Sequence, residues 1–310
     1  MIEVIKVENK EQERDFVMFP FKLYKGCDYW VPPIISEELE SMDKEKNPVF
    51  KNAEAEFYVA KKDGVTVGRI AAIVNWVEIE EQKKNKLRFG WYDTIDDLEV
   101  SKKLLESVVE FGKSRKLEFV DGPVGFSNMD KAGLLIEGYE ELNTMITWYH
   151  YPYQKEHLKK LGFTKLAEWV EYKIKIFSAD DAPEKVKKFS KIIQQRYELK
   201  VLNFKSRKEI IPYVDKMFEL LNVTYSNLQT YVTIKQYQID FYKEKFIKYI
   251  HPDFIKCCLD KDGNLIAFLI TMPSFSRALK KINGKMGLTG YFHLFKAQHF
   301  NDRVSLYLIG

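Results

Sequence analysis

The chain has 310 residues, of which 45% are hydrophobic and 30% are charged, with 49 Lys and Arg against 45 Asp and Glu. A chain of this length and composition buries a sizeable core and has room for two domains of common size. The net charge of +4 is thin and is spread over stretches of mixed sign, whereas a nucleic-acid-binding protein gathers its cations on one face. We therefore expect no nucleic-acid partner.

The N-terminus, the apolar runs and the cysteines bear on location. Residues 1–13 alternate charged residues with single apolar ones, which is not the pattern of a signal peptide. Apolar runs such as Leu265–Thr271 have the length of a strand and are too short to span a bilayer. Cys27, Cys257 and Cys258 form no CxxC or Cys/His cluster, and the histidines show no metal-ligand spacing. These features predict a cytoplasmic protein with free thiols, no membrane partner and no metal.

The first part of the chain predicts strands, helices and one clear hairpin. Asp63-Gly64 separates two β-rich runs, which is the strongest short-range hairpin signal in a sequence. Pro20 is expected to interrupt the first helix. The predicted strands are Ile2–Val7, Glu56–Lys61, Val65–Val74, Lys86–Tyr92, Glu118–Gly122, Ile146–Tyr149 and Trp169–Phe177, and the predicted helices are Gln12–Lys25, Leu98–Ser114 and Tyr153–Leu161.

The second part repeats the hairpin. Phe57–Val74 and Phe254–Thr271 align with an Asp-Gly turn at the same place, which indicates an internal duplication. The polar run Asp180–Pro183 predicts a junction, so we expect domains at residues 1–178 and 184–310 joined by residues 179–183. The predicted helices are Glu184–Gln195, Ile210–Val223 and Ile234–Ile250, and the predicted strands are Tyr197–Phe204, Phe254–Leu259, Leu265–Met272 and Val304–Ile309.

This order of elements resembles that of the GNAT N-acetyltransferase fold. The segment Gln154–Phe163 resembles the closing helix of that superfamily, which runs into Leu-Gly-Phe and the last strand. Shorter stretches resemble a family of uncharacterised bacterial tandem GNAT-like proteins: Tyr29–Pro33, Lys46–Pro48, Gly68–Ala72, Gly122-Pro123 and Gly133–Leu135. The resemblance implies an α+β fold of two GNAT-like domains, each a mixed twisted sheet flanked by helices.

The resemblance also implies acetyl-CoA or another acyl-CoA as cofactor. In a GNAT enzyme the pantetheine arm enters a gap between the fourth and fifth strands, and the pyrophosphate lies on a glycine-containing loop at the next helix N-terminus. Here the segment Tyr92–Val100 has no glycine and carries three aspartates and a glutamate, which predicts an acidic helix cap and a degenerate cofactor loop. The tyrosine that usually protonates the leaving thiolate is replaced by Leu158. Trp91 and Tyr92, at the end of the fourth strand, are the candidate cofactor-binding residues.

In the second domain the corresponding fourth strand is Val304–Ile309, and its cofactor loop should begin just beyond it. We therefore expect residues 184–310 to be the N-terminal part of a second GNAT-like domain that is truncated after this strand. Such a truncation would leave a sheet edge uncovered.

Four residues are candidates for acid–base or substrate-orienting roles. Asp93 lies where GNAT enzymes carry a carboxylate base, although helix capping is its alternative role. In the aromatic run Trp148–Tyr153, Tyr149, His150 and Tyr153 are suited to orient an amine or an acyl group, and His150 is a candidate base. The alternative is that this run packs in a core or an interface. We predict Asp93, His150 and Tyr153 as catalytic residues and Tyr149 as a substrate-binding residue.

The glycine-bounded run Gly125–Gly133 follows a predicted strand, and loops in that position commonly bind ligands. Its polar side chains Ser127, Asn128 and Asp130 are predicted substrate-binding residues. The alternative is that they satisfy the backbone of a local turn.

Two functions remain in competition. The first is an N-acyltransferase of the acetyl-CoA-dependent type acting on a small-molecule or peptide amine, with its working site in the second half or between the halves. The second is a non-catalytic GNAT-like binding or scaffold protein that has lost CoA, as the acidic loop and Leu158 suggest. Aminoacyl transfer from charged tRNA is disfavoured by the thin cation surplus. The acyl donor, the acceptor and the oligomeric state are left open.

Overall fold

The computed structural model of the chain describes residues 1–175, 178–246 and 251–310. The chain divides into two compact units. Unit 1 comprises Met1–Glu168, Thr230–Val232 and Ser274–Asn301, and unit 2 comprises Trp169–Gln229, Thr233–Pro273 and Asp302–Gly310. Unit 1 thus takes in two segments from the second half of the chain. The domain boundaries at 178 and 184 stay a prediction.

Unit 1 is built on a five-stranded mixed sheet in the order β1-β2-β3-β4-β5, in which only the β4–β5 pair is parallel. Its strands are β1 (Ile2–Lys6), β2 (Ala53–Lys62), β3 (Val65–Asn75), β4 (Lys86–Thr94) and β5 (Phe119–Asp121). Its first helices are α1 (Lys10–Leu23), α2 (Ile35–Met42), α3 (Leu98–Ser114) and α4 (Pro152–Lys160). The bounds of α3 are those predicted from its apolar spacing.

The sheet of unit 1 separates two apolar clusters, because successive strand residues point to opposite faces. On one face, Ile70 and Ala72 pack with Leu104 and Val108 of α3. On the other face, their neighbours in β3 pack with α1 and α2 in a cluster that contains Phe16. Burial on both faces explains why β3 reads as an almost continuous apolar run.

Unit 2 contains a four-stranded antiparallel sheet in the order β6-β7-β8-β9. Its strands are β6 (Lys200–Asn203), β7 (Ile255–Leu259), β8 (Leu265–Pro273) and β9 (Val304–Ile309). Its helices are α5 (Glu184–Arg196), α6 (Arg207–Tyr225) and α7 (Gln236–Phe246). The predicted α+β class, with two sheets flanked by helices, is confirmed. The sequence predicted that α7 extends to Ile250, and residues 247–250 of that prediction lie outside the described residues.

The two sheets repeat one strand pattern that the sequence showed only as a repeated hairpin. The turn between β2 and β3 places Asp63 at φ 52° and Gly64 at φ 78°, as a two-residue hairpin turn requires. A β-bulge then interrupts the next pairing, since Trp91 and Tyr92 of β4 lie opposite the single residue Ile70. In unit 2 the β8–β9 pairing shifts in the same way, and Tyr307 is the additional residue.

Three predictions about local structure are wrong. Pro20 does not interrupt α1, because the helix continues through it to Leu23. Residues 146–149 form no strand, since the Asn143 amide donates to the Thr147 carbonyl, the Thr147 hydroxyl donates to Asn143 Oδ1, and the two bonds close a turn. Residues 169–175 form no strand either, and residues 176–177 of that prediction lie outside the described residues.

A buried ion-pair network joins β4 to its surroundings. Arg88 binds Glu78 through two nitrogens, at 2.6 and 2.7 Å, and its guanidinium also donates to the carbonyls of Gly125 and Thr230. Lys86 bridges Glu78 at 3.1 Å and Asp121 of β5 at 2.7 Å. Because these charges are buried, each depends on its partners for the interactions that water would supply.

We expect Arg88→Met to lower the free energy of unfolding of unit 1 by about 3–5 kcal/mol, because it leaves the Glu78 carboxylate buried without its bidentate partner. Urea unfolding followed by tryptophan fluorescence measures the change. Lys102→Met is the matched control, since its ion pairs with Glu99 and Glu106 are exposed and should contribute less than about 1 kcal/mol. Equal effects of the two substitutions would contradict the prediction.

Candidate functional site

A buried polar centre lies where β3, β4 and α1 meet. Arg69 of β3 pairs across the strands with Asp93 of β4, and its Nε donates to Asp93 Oδ2 at 2.8 Å. The phenol of Tyr24, next to the end of α1, donates to Asp93 Oδ1 at 2.6 Å. Burial and the nearby Asp93 carboxylate raise the pKa of Tyr24 well above its ordinary value. Tyr24 therefore stays a hydrogen-bond donor at physiological pH.

The same arginine explains the uninterrupted first helix. A proline inside a helix has no N–H to donate to the carbonyl four residues earlier, which here belongs to Phe16. Arg69 Nη1 donates to that carbonyl at 3.2 Å. The hydrogen bond that Pro20 removes from the helix is thus replaced by a side chain from the sheet.

The N-terminus of α4 is attached to β4 by two side chains. The buried Gln154 amide donates to the Tyr92 carbonyl at 3.2 Å, and its oxygen accepts from the Tyr151 N–H at 2.8 Å. The Tyr153 hydroxyl donates to the Thr94 carbonyl at 2.7 Å. Burial, followed by the charge of Asp93, raises the pKa of Tyr153, so its phenol keeps its proton.

His150 is buried beside the polar centre. Its Nδ1 accepts from the Leu135 N–H at 3.2 Å, and the imidazole also interacts with the Tyr92 carbonyl. These two partners favour the neutral tautomer that carries its proton on Nε2. Burial lowers the pKa of His150 to about 4 despite the favourable charge of Asp93. The ring is therefore neutral at physiological pH, and its role as a base stays a prediction.

The bulge gives Trp91 an unusual backbone. Its φ is 48°, in the left-handed region that a bulky residue rarely adopts. The indole Nε1 donates to Glu38 Oε2 of α2 at 2.9 Å, and Glu38 lies 4.0 Å from the Arg69 guanidinium. Bulges of this kind are frequent beside active sites, where they turn a side chain or expose backbone groups.

Tyr24 and the Arg69–Asp93 pair line a small cavity of about 20 Å³. Two carboxylates, Glu38 and Asp93, and two cations, Arg69 and Lys131, face it together with aromatic rings. Desolvation lowers the pKa of the half-buried Lys131 ammonium. The cavity has room for about one water molecule, so a larger ligand requires the aromatic walls to move.

The structure brings six of the predicted site residues to this region of unit 1. These are Trp91, Tyr92, Asp93, Tyr149, His150 and Tyr153. Tyr149 contributes its carbonyl, which accepts from Tyr24, while its own hydroxyl donates to the Tyr139 carbonyl. Tyr92 turns its hydroxyl the other way, to Ser101 of α3 at 2.8 Å.

The other three predicted residues lie in a turn of their own. Asp130 Oδ2 accepts from the Ser127 N–H at 2.9 Å and from the Ser127 hydroxyl at 3.3 Å. Oriented by its neighbours, the Asn128 amide donates to the Thr230 carbonyl at 2.9 Å and accepts from the Val232 N–H at 3.1 Å. All three side chains thus form hydrogen bonds within the protein, and their substrate-binding role stays a prediction.

The residues after β4 do not fit the diphosphate of a coenzyme A. Asp97 caps α3 by accepting from the Glu99 N–H, as the acidic run predicted. Asp96 binds His157 at 3.2 Å, so a second carboxylate lies at the same helix start. Negative side chains at a helix N-terminus compete with an anionic ligand for its positive end. Leu158, at the position of the usual proton donor, is buried in the apolar core.

Sequence reasoning missed Tyr24, Glu38, Arg69, Lys131 and Gln154. Arg69 carried the clearest signal, because it is a charge within the apolar run Val65–Val74, and a buried charge requires a partner. The sequence did not distinguish Tyr24 or Gln154 as a site residue, since each lies in a segment with several other aromatic or polar residues.

Unit 2 carries an apolar groove of about 550 Å³ between α5 and the β6–β7 edge of its sheet. Phe189 and Ile193 of α5, Val201 of β6 and Cys258 of β7 are among the side chains that line it. Its volume falls in the range of roughly 300–1,000 Å³ that is typical of ligand sites. Its lining suits a hydrocarbon better than a charged group.

Within the described ranges, no group of three or more His, Cys, Asp or Glu is placed to hold a metal ion. Across the same part of the chain, no helix has both the length and the apolar character that crossing a bilayer requires.

Similar proteins are known. Protein YghO of Escherichia coli K12 is 26% identical over 290 residues, which are 92% of this chain and 72% of that protein. The bacterial ceramide synthase of Caulobacter vibrioides is 21% identical over 292 residues, 92% of this chain and 73% of that protein. A solved tandem GNAT protein from the clavulanic acid biosynthesis pathway is 9% identical with a TM-score of 0.42, over 87% of this chain and 74% of its own. No protein-family model matches the chain.

The environment of His150 predicts a pH dependence of stability. A histidine in an unfolded chain has a pKa near 6.5, and the folded value is about 4. Because the unfolded chain binds the proton more readily, the stabilisation is complete above pH 6.5 and is lost as the pH falls towards 4. The difference corresponds to roughly 3 kcal/mol. We expect the free energy gap between the wild type and His150→Gln to shrink by that amount, as measured by urea unfolding at each pH.

His299→Gln controls for the histidine-to-glutamine change itself, because His299 is exposed. If His150→Gln does not fold, NMR titration of the wild type gives the same information. A His150 signal that titrates near neutral pH would contradict the prediction.

Proposed function

We propose that unit 1 is an N-acyltransferase that moves a fatty acyl group from a thioester to the amine of a long-chain amino alcohol. The observation that carries the proposal is the strained bulge at Trp91, immediately before the buried Asp93 centre. The name of the Caulobacter relative supports the substrate class, since a ceramide is the amide of a fatty acid and a long-chain amino alcohol.

Acyl transfer to an amine requires three things: a neutral amine, a polarised acyl carbonyl and a proton for the leaving thiolate. Glu38 and Asp93 face the same cavity and attract the ammonium form of the acceptor. Both oxygens of Asp93 already accept hydrogen bonds, one from Tyr24 and one from Arg69. Glu38 accepts from Trp91 through one oxygen and lies farther from Arg69, so we assign it the hydrogen bond from the ammonium of the acceptor.

Tyr153 is the candidate proton donor. Its phenol stays protonated, and it lies on α4, the helix that in GNAT enzymes carries the donor. Leu158, which takes the position of the usual proton donor, lies in the same helix, five residues after Tyr153. A tyrosine at the start of the helix therefore compensates for the leucine.

The acyl carrier is left open. Because Asp96 and Asp97 do not suit a diphosphate, no step of the proposal depends on coenzyme A. Fatty acyl-CoA and fatty acyl carrier protein offer the same thioester, so a comparison of the two identifies the carrier. The experiment incubates the purified chain with each donor and a long-chain amino alcohol, and mass spectrometry detects the amide. Lack of amide with both donors would favour the non-catalytic binding function.

We expect Tyr153→Phe to lower kcat by about a hundredfold with little change in KM, because the substitution removes a proton donor and leaves the ring in place. Steady-state rates of amide formation measure the effect. Tyr172→Phe is the matched control, since Tyr172 is 77% exposed in unit 2 and should leave the rate unchanged. A kcat for Tyr153→Phe within twofold of the wild type would exclude the assigned role.

A further inference from the structure

Two helices from the second half of the chain complete unit 1. They are α8 (Ser276–Ile282) and α9 (Leu288–His299), which pack against each other. The connection between them is fixed to the rest of unit 1, because the Gly284 carbonyl accepts from the Ile35 N–H at 2.9 Å. Lys280 of α8 donates to the Cys27 carbonyl at 3.2 Å and to Asp28. The orientation of α9 is therefore determined by specific contacts.

The helix α9 buries a glycine and exposes four large apolar residues. Gly290 is buried, and a Cβ at that position would come within 3.0 Å of Met286 Sδ. On the outer face, Leu288, Tyr291, Phe292 and Phe295 are 93%, 65%, 63% and 55% exposed. Their spacing of three, four and seven residues places them on one stripe. This is the reverse of the arrangement of an ordinary surface helix.

The patch continues into the next segment, where Phe300 is 74% exposed. A contiguous apolar surface of this kind marks an interaction site. The five residues Leu288, Tyr291, Phe292, Phe295 and Phe300 are called the α9 patch below.

The chain segment that carries the α9 patch has charges of a single sign up to Asn301. Residues 264–301 contain five Lys and Arg and no Asp or Glu, in a chain whose charges otherwise nearly cancel. Four of these cations, Arg277, Lys281, Lys285 and Lys296, are exposed. Large aromatic residues beside exposed lysines are the composition of helices that bind at the interface of anionic membranes.

We propose that the α9 patch is a docking surface for a bilayer that contains anionic phospholipid. Phe292 and Phe295 enter the boundary between headgroups and acyl chains, while Lys285 and Lys296 bind lipid phosphates. Lys296 follows Phe295 directly, and Lys285 precedes the first turn of the helix. This proposal replaces the expectation of no membrane partner, which considered only spanning segments.

A second copy of the chain is the less suitable occupant. In a symmetric dimer the same patch faces itself, so Lys281, Lys285 and Lys296 of one copy would approach those of the other. Like charges at an interface oppose association. An anionic lipid surface complements both the apolar residues and the lysines.

The inference depends on the α9 patch and its lysines and not on acyl transfer. It deepens the proposed function in one respect, because a long-chain amino alcohol is itself a membrane component. A rate measured with a short, water-soluble amine separates the two proposals, since it tests catalysis without requiring a membrane.

The experiment is co-sedimentation of the full chain with vesicles of phosphatidylcholine alone or mixed with phosphatidylglycerol. We expect binding to the mixed vesicles, weakened by high salt. Phe292→Ser/Phe295→Ser should lower the partition coefficient by at least about tenfold, because it removes two inserted rings. Lys285→Glu/Lys296→Glu should lower it by a similar factor, about tenfold or more.

Phe119→Ser is the matched control: Phe119 is 48% exposed on β5 of unit 1 and is not part of the α9 patch, so this variant should bind as the wild type does. Circular dichroism melts establish that each variant is folded. Wild-type chain that stays in the supernatant with the mixed vesicles would overturn the proposal. The proposal would also be overturned if both double variants bound the mixed vesicles as the wild type does. Self-association that Phe292→Ser/Phe295→Ser abolishes, without vesicle binding, would assign the patch to a second copy.

Discussion

The Arg69 guanidinium is the group on which the arrangement of unit 1 depends. It neutralises the buried Asp93 carboxylate, replaces the hydrogen bond that Pro20 removes from α1, and lies within 4.0 Å of Glu38 on α2. Two helices and two strands thus meet at one side chain. Because a buried charge without partners is costly, the fold fixes these elements together, and the position of the candidate site follows from that requirement.

Local signals in the sequence predicted what local physics determines. The Asp-Gly turn, the amphipathic α3 and the acidic cap at Asp97 each depend on residues close in the chain, and each is present as predicted. The predicted strand at residues 146–149 is absent, because the bonds between Asn143 and Thr147 determine the conformation of this segment. Alternation indicates a strand only where a neighbouring strand is available to pair with it.

The candidate site was harder to predict because its contacts are long-range. Tyr24 and Asp93 are 69 residues apart, and Gln154 and Tyr92 are 62 apart, so no spacing rule connects them. In the sequence, the run Gly125–Gly133 looked more like a ligand-binding loop than the segments that form the candidate site. In the structure, its Ser127 and Asp130 hydrogen-bond to each other. Polar residues in a loop satisfy their own backbone first, whereas an isolated charge in an apolar strand must find a distant partner.

The repeated strand pattern bears on the placement of the proposed site in unit 1. Both sheets have an antiparallel hairpin followed by a bulged strand, but the residues beside the two bulges differ. In unit 1 the pair across the strands next to the bulge is Arg69 and Asp93, whereas in unit 2 the corresponding pair is Ile270 and Leu308. An apolar pair can neither bind an ammonium nor move a proton. The two units therefore share the strand pattern, while the charged pair on which the proposed acyl transfer depends lies beside the bulge of unit 1.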